Sequence, residues 1–401
     1  MNHDTALIAT VAIGLGYALV FGFVCARLHL PPLLGYLLAG VAVGPFTPGF
    51  VADAELAPQL AEIGVILLMF GVGMHFSLRD LARVWRIAVP GAILQIAVAT
   101  GLGIAIATAW GWSLGGGLVL GMSLSVASTV VLLRALEAGG IMGSPDGRLA
   151  IGWLIVEDLL TVLALVVLPA VAGSLGGEAA PIADGGALAL TLAVTIGRVG
   201  LFVALMLVIG ARLFPWLLEQ VAQTGSRELF TLAVVSAALG VGFVSAELFG
   251  VSFALGAFFA GVVIRESDHS KRAEADTRPL QDSFAVLFFV SVGMLFDPLV
   301  LVNDPIHVLA VLAVIVLGKS AVAFALVRFA GGRSLAGALT VSVGLAQVGE
   351  FSFILASLGM ELGLLPMEGR NLILAGALLS ITANAFLFRA ALRLSAKAPT
   401  S

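Results

Sequence analysis

The chain has 401 residues, of which 60% are hydrophobic and 11% charged, with a mean hydropathy of +1.13. A soluble domain keeps about a quarter of its residues charged to solvate its surface, so a water-soluble fold is excluded, and the net charge of -4 matters less than where the charges sit. The single cysteine, Cys25, excludes an intrachain disulfide and a multi-cysteine metal site.

The N-terminus, Met1 to Thr5, has no Lys or Arg and lacks the charged start of a cleavable signal, so the first apolar run reads as a membrane span. A span needs about 20 apolar residues. Polar punctuation divides the chain into thirteen segments, near 6–26, 33–46, 57–77, 87–110, 114–136, 148–173, 187–213, 228–246, 249–264, 282–297, 306–329, 334–359 and 371–394, of which the second and ninth are short. The pattern predicts an all-α polytopic membrane protein. An odd number of spans fits two inverted six-helix repeats, with the seventh segment as linker.

Of the 20 Lys and Arg residues, all but Arg370, Arg198 and Lys319 fall on one side of this arrangement. The excess of basic residues marks the cytoplasmic side, which places the N-terminus outside and the C-terminus in the cytoplasm. The opposite loops are acidic, with Asp53 and Glu55, Glu178 and Asp184, Asp297 and Asp304, and Glu361 and Glu368. The stretch from Arg265 to Asp282 carries both signs of charge and reads as a solvated connector.

Ionisable groups inside spans are costly and mark function by default. Glu157 and Asp158 lie about ten residues into the sixth span, which at about 1.5 Å per residue is the bilayer midplane. Lys319 lies at similar depth in the eleventh span, and Gln347 and Glu350 lie in the twelfth. Adjacent carboxylates in lipid repel and lose hydration, so such a pair can hold a proton, or release it and bind a desolvated cation. That chemistry suits an antiporter. A Glu157–Lys319 ion pair that only locks two helices is the plainer reading of Glu157, but one lysine cannot neutralise two acids. Arg198, midway along the seventh segment, reads as a structural residue that pairs or snorkels.

The fifth and twelfth spans occupy matching places in the two halves and carry matching clusters. The fifth has Ser123, Ser125, Ser128 and Thr129, and the twelfth has Ser342, Gly344, Gln347, Gly349 and Glu350. Glycine and hydroxyl residues permit unwinding, and broken half-helices present carbonyls and dipole ends to an ion; small-residue helix packing is the alternative. If broken, the two segments face each other near the midplane, with Asp158 within reach of the first and a cavity reaching Asp158 from one side only.

The segments PPLLGYLLAGVAVGPF (31–46), ILLMFGVGMHFSL (66–78), SVASTVVLLRAL (125–136), WLIVEDLL (153–160), FFVSVGMLFDP (288–298) and VGLAQVGEFSFIL (343–355) resemble the monovalent cation:proton antiporter superfamily. Within it they are most similar to the Kef-type potassium/proton antiporters, particularly the YbaL-like members. The resemblance implies a sodium/proton antiporter-like fold with two crossing broken helices, and an elevator-type exchange of potassium or sodium for protons in the bacterial inner membrane. It implies a homodimer, with dimerisation helices in 1–80 and 226–300, a mobile core in 85–175 and 304–395, and a linker helix over 186–214. It also implies a monovalent cation at Asp158, with Glu157, Thr129, Ser128 and Ser125 beside it and Lys319, Gln347 and Glu350 as charge-compensating and crossing-helix residues.

Two departures stand out. Glu157 occupies a position where Kef systems have Gln and other branches Asp or Asn, and SDHSKRAEAD (267–276) replaces the acidic motif of glutathione-gated relatives. The cytoplasmic nucleotide-binding domain of many relatives is absent from this chain, which reads as a truncated or an unregulated form. No cofactor and no nucleic-acid partner is expected; the partners are the ions, membrane lipid and a second copy. A cation channel and an ion-coupled organic-solute transporter are the rival readings. An intramembrane enzyme is disfavoured because His3, His29, His75, His269 and His307 all fall at span edges or in loops.

Overall fold

The computed structural model describes residues 3–53, 56–75, 78–177 and 185–397; Glu55, Glu178 and Asp184 of the acidic loops lie outside them. All regular structure among the described residues is helical. In chain order the helices are α1 (His3–Arg27), α2 (Pro32–Val43), α3 (Leu56–His75), α4 (Leu78–Ala109), α5 (Leu114–Ser125), α6 (Thr129–Ala138), α7 (Pro145–Val171), α8 (Gly185–Leu205), α9 (Ala211–Gln223) and α10 (Arg227–Phe249). They continue with α11 (Phe253–Arg265), α12 (Ser270–Met294), α13 (Val300–Asn303), α14 (Pro305–Ala313), α15 (Lys319–Ala325), α16 (Leu335–Gly344), α17 (Glu350–Glu361) and α18 (Met367–Lys397). A π-helical turn, Met206–Gly210, joins α8 to α9, and another, Val314–Gly318, joins α14 to α15. Among the described residues eight helical stretches are long and apolar enough to cross a membrane. Four shorter apolar helices accompany them: Pro32–Val43, Gln59–Met74, Phe253–Arg265 and Leu335–Gly344.

The helices pack as two groups. In one, α3 lies along α11 and α12, α2 lies along α1 and α12, and α10 packs on α11. In the other, α4 packs on α5 and α7, α16 on α15 and α18, and α17 on α5 and α18. In hydrocarbon there is no water to drive helices together, so close packing through small residues takes over. In α3 and α11, a Cβ on Gly73 would strike the Phe258 carbonyl and one on Gly261 the Phe70 carbonyl. Gly40 of α2 and Gly293 of α12 meet in the same way, backbone against backbone. These approaches account for part of the high glycine content.

One expectation needs correction. The charged stretch from Arg265 to Asp282 is mostly helix, because α12 begins at Ser270 and runs unbroken into its apolar half. Ala273 and Thr277 are buried on one face. Asp276 takes Arg227 at 2.9 Å and Arg272 at 3.6 Å on another. Most of its other residues stay exposed or half-buried, so the run is a solvated surface built as a helix.

The repeat is visible at the caps. Ser113 caps α5 by accepting from Gly116 N, and Ser334 caps α16 by accepting from Gly337 N. Thr129 and Glu350, the first residues of the second half-helices α6 and α17, each lie sixteen positions beyond those serines (129 minus 113; 350 minus 334). The segments Ser113–Thr129 and Ser334–Glu350 therefore match without a gap.

Candidate cation and proton site

Both sequence clusters are true breaks. The backbone leaves the helix after Ser125 and re-enters at Thr129, and leaves after Gly344 and re-enters at Glu350. Extended residues that cannot reach water must find partners inside the protein. The two breaks supply them to each other. Gln347 Oε1 accepts from Ser128 N at 2.9 Å, and Gln347 Nε2 donates to Ser128 O at 3.2 Å, so one amide side chain stands in for a strand neighbour. A Cβ on Gly349 would strike the Ser128 backbone, which fixes glycine at the crossing.

Neighbouring helices cover three of the carbonyls at the second break. Lys319 Nζ donates to Gln347 O at 2.9 Å, Asn384 Nδ2 to Val343 O at 2.6 Å, and Ser320 Oγ to Ser342 O at 3.3 Å. The π-helical turn Val314–Gly318 ends one residue before Lys319, and its extra residue per turn sets the direction in which the lysine leaves the helix. A cation at the carbonyl end of α16 and a carboxylate, Glu350, at the amide end of α17 both complement the half-helix dipoles.

Glu157 and Asp158 part company here, because successive residues on a helix point about 100° apart. Glu157 is fully buried. It accepts from Ala127 N at 2.8 Å through Oε2 and from the Gln95 side-chain amide through Oε1. The indole N–H of Trp153 faces the same carboxylate outside strict hydrogen-bond geometry. Lys319 lies within Coulombic reach of Glu157, but its hydrogen bond goes to the crossing backbone, not to Glu157 as the pairing expectation had it. The carboxylate is spent on holding the first break.

Asp158, 4% exposed, turns the other way. Its Oδ2 accepts from Thr129 Oγ1 at 3.3 Å, and its Oδ1 has no partner. Glu350, 1% exposed, accepts from Ser128 Oγ at 3.1 Å through Oε2, and its Oε1 likewise has no partner. Both line a cavity of about 510 Å³ between the two helix groups. Its walls are α3, α11 and α12 on one side and α6, α7 and α17 on the other. Arg134, Glu137, Glu274, Arg278 and Asp282 also line it, all from the basic-rich side, and among the described residues its lining includes none from the acidic loops.

Of the predicted residues, Asp158, Thr129 and Glu350 line the cavity, while Ser128 and Gln347 tie the breaks together. Ser125 contributes its carbonyl to Gln95 Nε2 at 3.5 Å, and its hydroxyl turns back to Met122 O at 2.7 Å. Arg198 lies exposed on α8. Gln95 and Asn384 escape a reading that starts from ionisable groups and from small-residue clusters, because each is a lone amide in an apolar run. An uncharged amide alone in an apolar run is the signal that would have found both.

The arrangement offers one unpartnered carboxylate oxygen on each of Asp158 and Glu350, with the Thr129 hydroxyl beside them, on the wall of the cavity. A family model described as the transmembrane part of sodium/hydrogen exchangers matches residues 15–393. The chain is 59% identical over 388 residues to YbaL of Escherichia coli (strain K12), a protein named as a cation/proton antiporter; the match covers 97% of this chain and 69% of that one. It is 31% identical over 391 residues to K(+) efflux antiporter 4 of Arabidopsis thaliana, covering 97% of this chain and 64% of that one. The solved structure of the sodium proton antiporter MjNhaP1 from Methanocaldococcus jannaschii shares the fold, with a TM-score of 0.74 at 17% identity over 98% of this chain and 99% of that one. With a family match across almost its whole length and two relatives named as antiporters, this chain belongs to the sodium/hydrogen exchanger family of membrane transporters.

Proposed function

We propose that the chain exchanges a monovalent cation for protons at Asp158, with potassium as the expected cation and sodium the alternative. The observation that carries this reading is the position of Asp158 on the wall of the cavity, buried and with a free carboxylate oxygen. Cation and proton compete for one buried oxygen pair, so the site holds one or the other. Similarity to a protein named as a potassium efflux antiporter supports potassium.

The exchange proceeds by elevator-type alternating access in a homodimer in the bacterial inner membrane. Residues 1–80 and 226–300 form the dimerisation body, 85–175 and 304–395 the moving core, and 186–214 the linker. The packing of the helices in two groups, with the cavity between them, supports this division. The basic-rich side is the cytoplasm, the N-terminus lies outside, and the cavity is the inward-open state. A channel would need a path past Asp158 to the acidic loops, and among the described residues the cavity lining includes none of them.

Asp158→Asn tests the reading in proteoliposomes, with proton flux driven by a potassium or a sodium gradient. Exchange should fall to the empty-liposome background while the protein elutes and melts as a folded species. Near-normal cation-dependent flux in that variant rules the assignment out.

A further inference from the structure

The structure assigns Gln95 as a positioning residue for the ion site, on the reading that Asp158 is where the ion binds. Gln95 is fully buried on α4 and does not line the cavity. Its place follows from close packing. A Cβ on Gly121 of α5 would strike Thr100 of α4, and one on Gly91 of α4 would strike the Trp153 ring of α7. Gln95 lies between those two contacts along α4. It meets α5 where that helix ends, at Ser125, and it meets α7 at Glu157.

The amide faces one way. Its Nε2 donates to Glu157 Oε1 and lies 3.5 Å from Ser125 O, while Oε1 has no partner among the described residues. Two acceptors thus select the donor end, and a neutral donor adds no charge beside Glu157 and Lys319. Two rungs then join the first break to α7. One runs from Ala127 N to Glu157 Oε2 at 2.8 Å, and the other from Thr129 Oγ1 to Asp158 Oδ2 at 3.3 Å. Ala127 and Thr129 are two residues apart, and Glu157 and Asp158 are adjacent. With at most about 3.6 Å of chain per residue, a shift of one rung is felt at the other.

Gln95 holds the first rung from behind by fixing the Glu157 side chain. Without it the carboxylate no longer places the Ala127 amide, and the Thr129 hydroxyl shifts relative to Asp158. Groups that orient an ion's ligands from behind carry about 10–100-fold in affinity. The brace also lies within one helix group, because α5 and α7 both pack on α4. It does not cross the cavity to the other group, so it sets affinity and leaves the speed of the motion alone.

The test measures proton flux in proteoliposomes against potassium concentration, or sodium where that is the ion the unaltered protein exchanges. Half-saturating concentration and maximal rate are read separately. Gln95→Leu keeps the bulk of the side chain and removes the donor. It should raise the half-saturating concentration at least about tenfold, with the maximal rate within about twofold, the pattern of lost binding and not of lost turnover. The double variant Gln95→Glu/Glu157→Gln exchanges the two partners. The new amide at position 157 accepts from Ala127 N and donates to the new carboxylate at position 95, so both bonds and the net charge survive. Most of the affinity should return. Val311→Ala, a cavity in the buried face of α14, should lower the melting temperature and leave half-saturation unchanged. If it shifts half-saturation as far as Gln95→Leu does, affinity only follows stability and the inference falls. An unchanged half-saturating concentration in Gln95→Leu, or a fall in maximal rate alone, overturns it as well. If Gln95→Leu does not fold, the double variant carries the test: half-saturation near the unaltered value supports the brace, and a folded double variant weakened about tenfold overturns it. Such a failure leaves the exchanger reading intact so long as Asp158→Asn still abolishes exchange.

Discussion

At the scale of single residues, Glu157 and Asp158 show how one helical step separates two roles. Glu157 is tied to Ala127 N and Gln95, and Asp158 faces the cavity with a free oxygen. Lys319 holds the crossing backbone and offsets Glu157 across a gap. Lys319→Ala should then lower stability, on the order of 3–5 kcal/mol for a buried charge left alone. Adding Glu157→Gln should recover part of that loss, which a double-mutant cycle by thermal unfolding measures. Simple additivity would mean that the two groups do not interact. A milder titration belongs to Glu361, which ends α17 beyond the predicted span. Burial and the Glu62 carboxylate hold its carboxyl above the usual glutamate range. An acid raised in the folded state binds its proton more tightly there, so stability falls as pH climbs above the ordinary value of about 4.3. Glu361→Gln should raise the melting temperature at about pH 7 and leave it unchanged at about pH 4.

At the scale of elements, the two broken helices are one structural unit. Each break lacks its own hydrogen-bond partners and takes them from the other through Gln347 and Ser128. Gly349 makes that approach possible, because any Cβ there would overlap Ser128. Gly349→Ala should therefore separate the breaks, destabilise the protein by about 1–3 kcal/mol as overpacking does, and remove cation-dependent proton flux. Gly101, which lies within α4 with open space around it, is the control, and Gly101→Ala should leave flux unchanged. The existence of both breaks was legible from Ser, Gly and Gln at matching places in the two halves. Their mutual pairing was not, since it joins residues 219 positions apart.

At the scale of the whole molecule, the cavity between the two helix groups is where sidedness can be tested. The lone Cys25 is buried, so a Cys25→Ser background is free of competing thiols. Leu133→Cys and Ile155→Cys place a thiol on the cavity wall at half-buried positions. In right-side-out vesicles a membrane-impermeant thiol reagent should leave both unlabelled from outside, and in inverted vesicles it should label both. Labelling from both faces of one preparation would show a continuous path and make the protein a channel.

The sequence by itself determined the membrane setting, the all-helical class and the acids buried inside apolar helices, because hydrocarbon forbids uncompensated charge and leaves it legible wherever it occurs. It also placed both breaks, since glycine and hydroxyl clusters inside apolar runs have local causes. Tertiary structure decided which acid faces the cavity, which amide braces the other, and that the charged run before the tenth span is helix. Gln95 meets Glu157 across 62 positions, and Gln347 meets Ser128 across 219. Such partnerships depend on how helices are stacked and rotated, and periodicity along one segment carries no information about the segment it will touch.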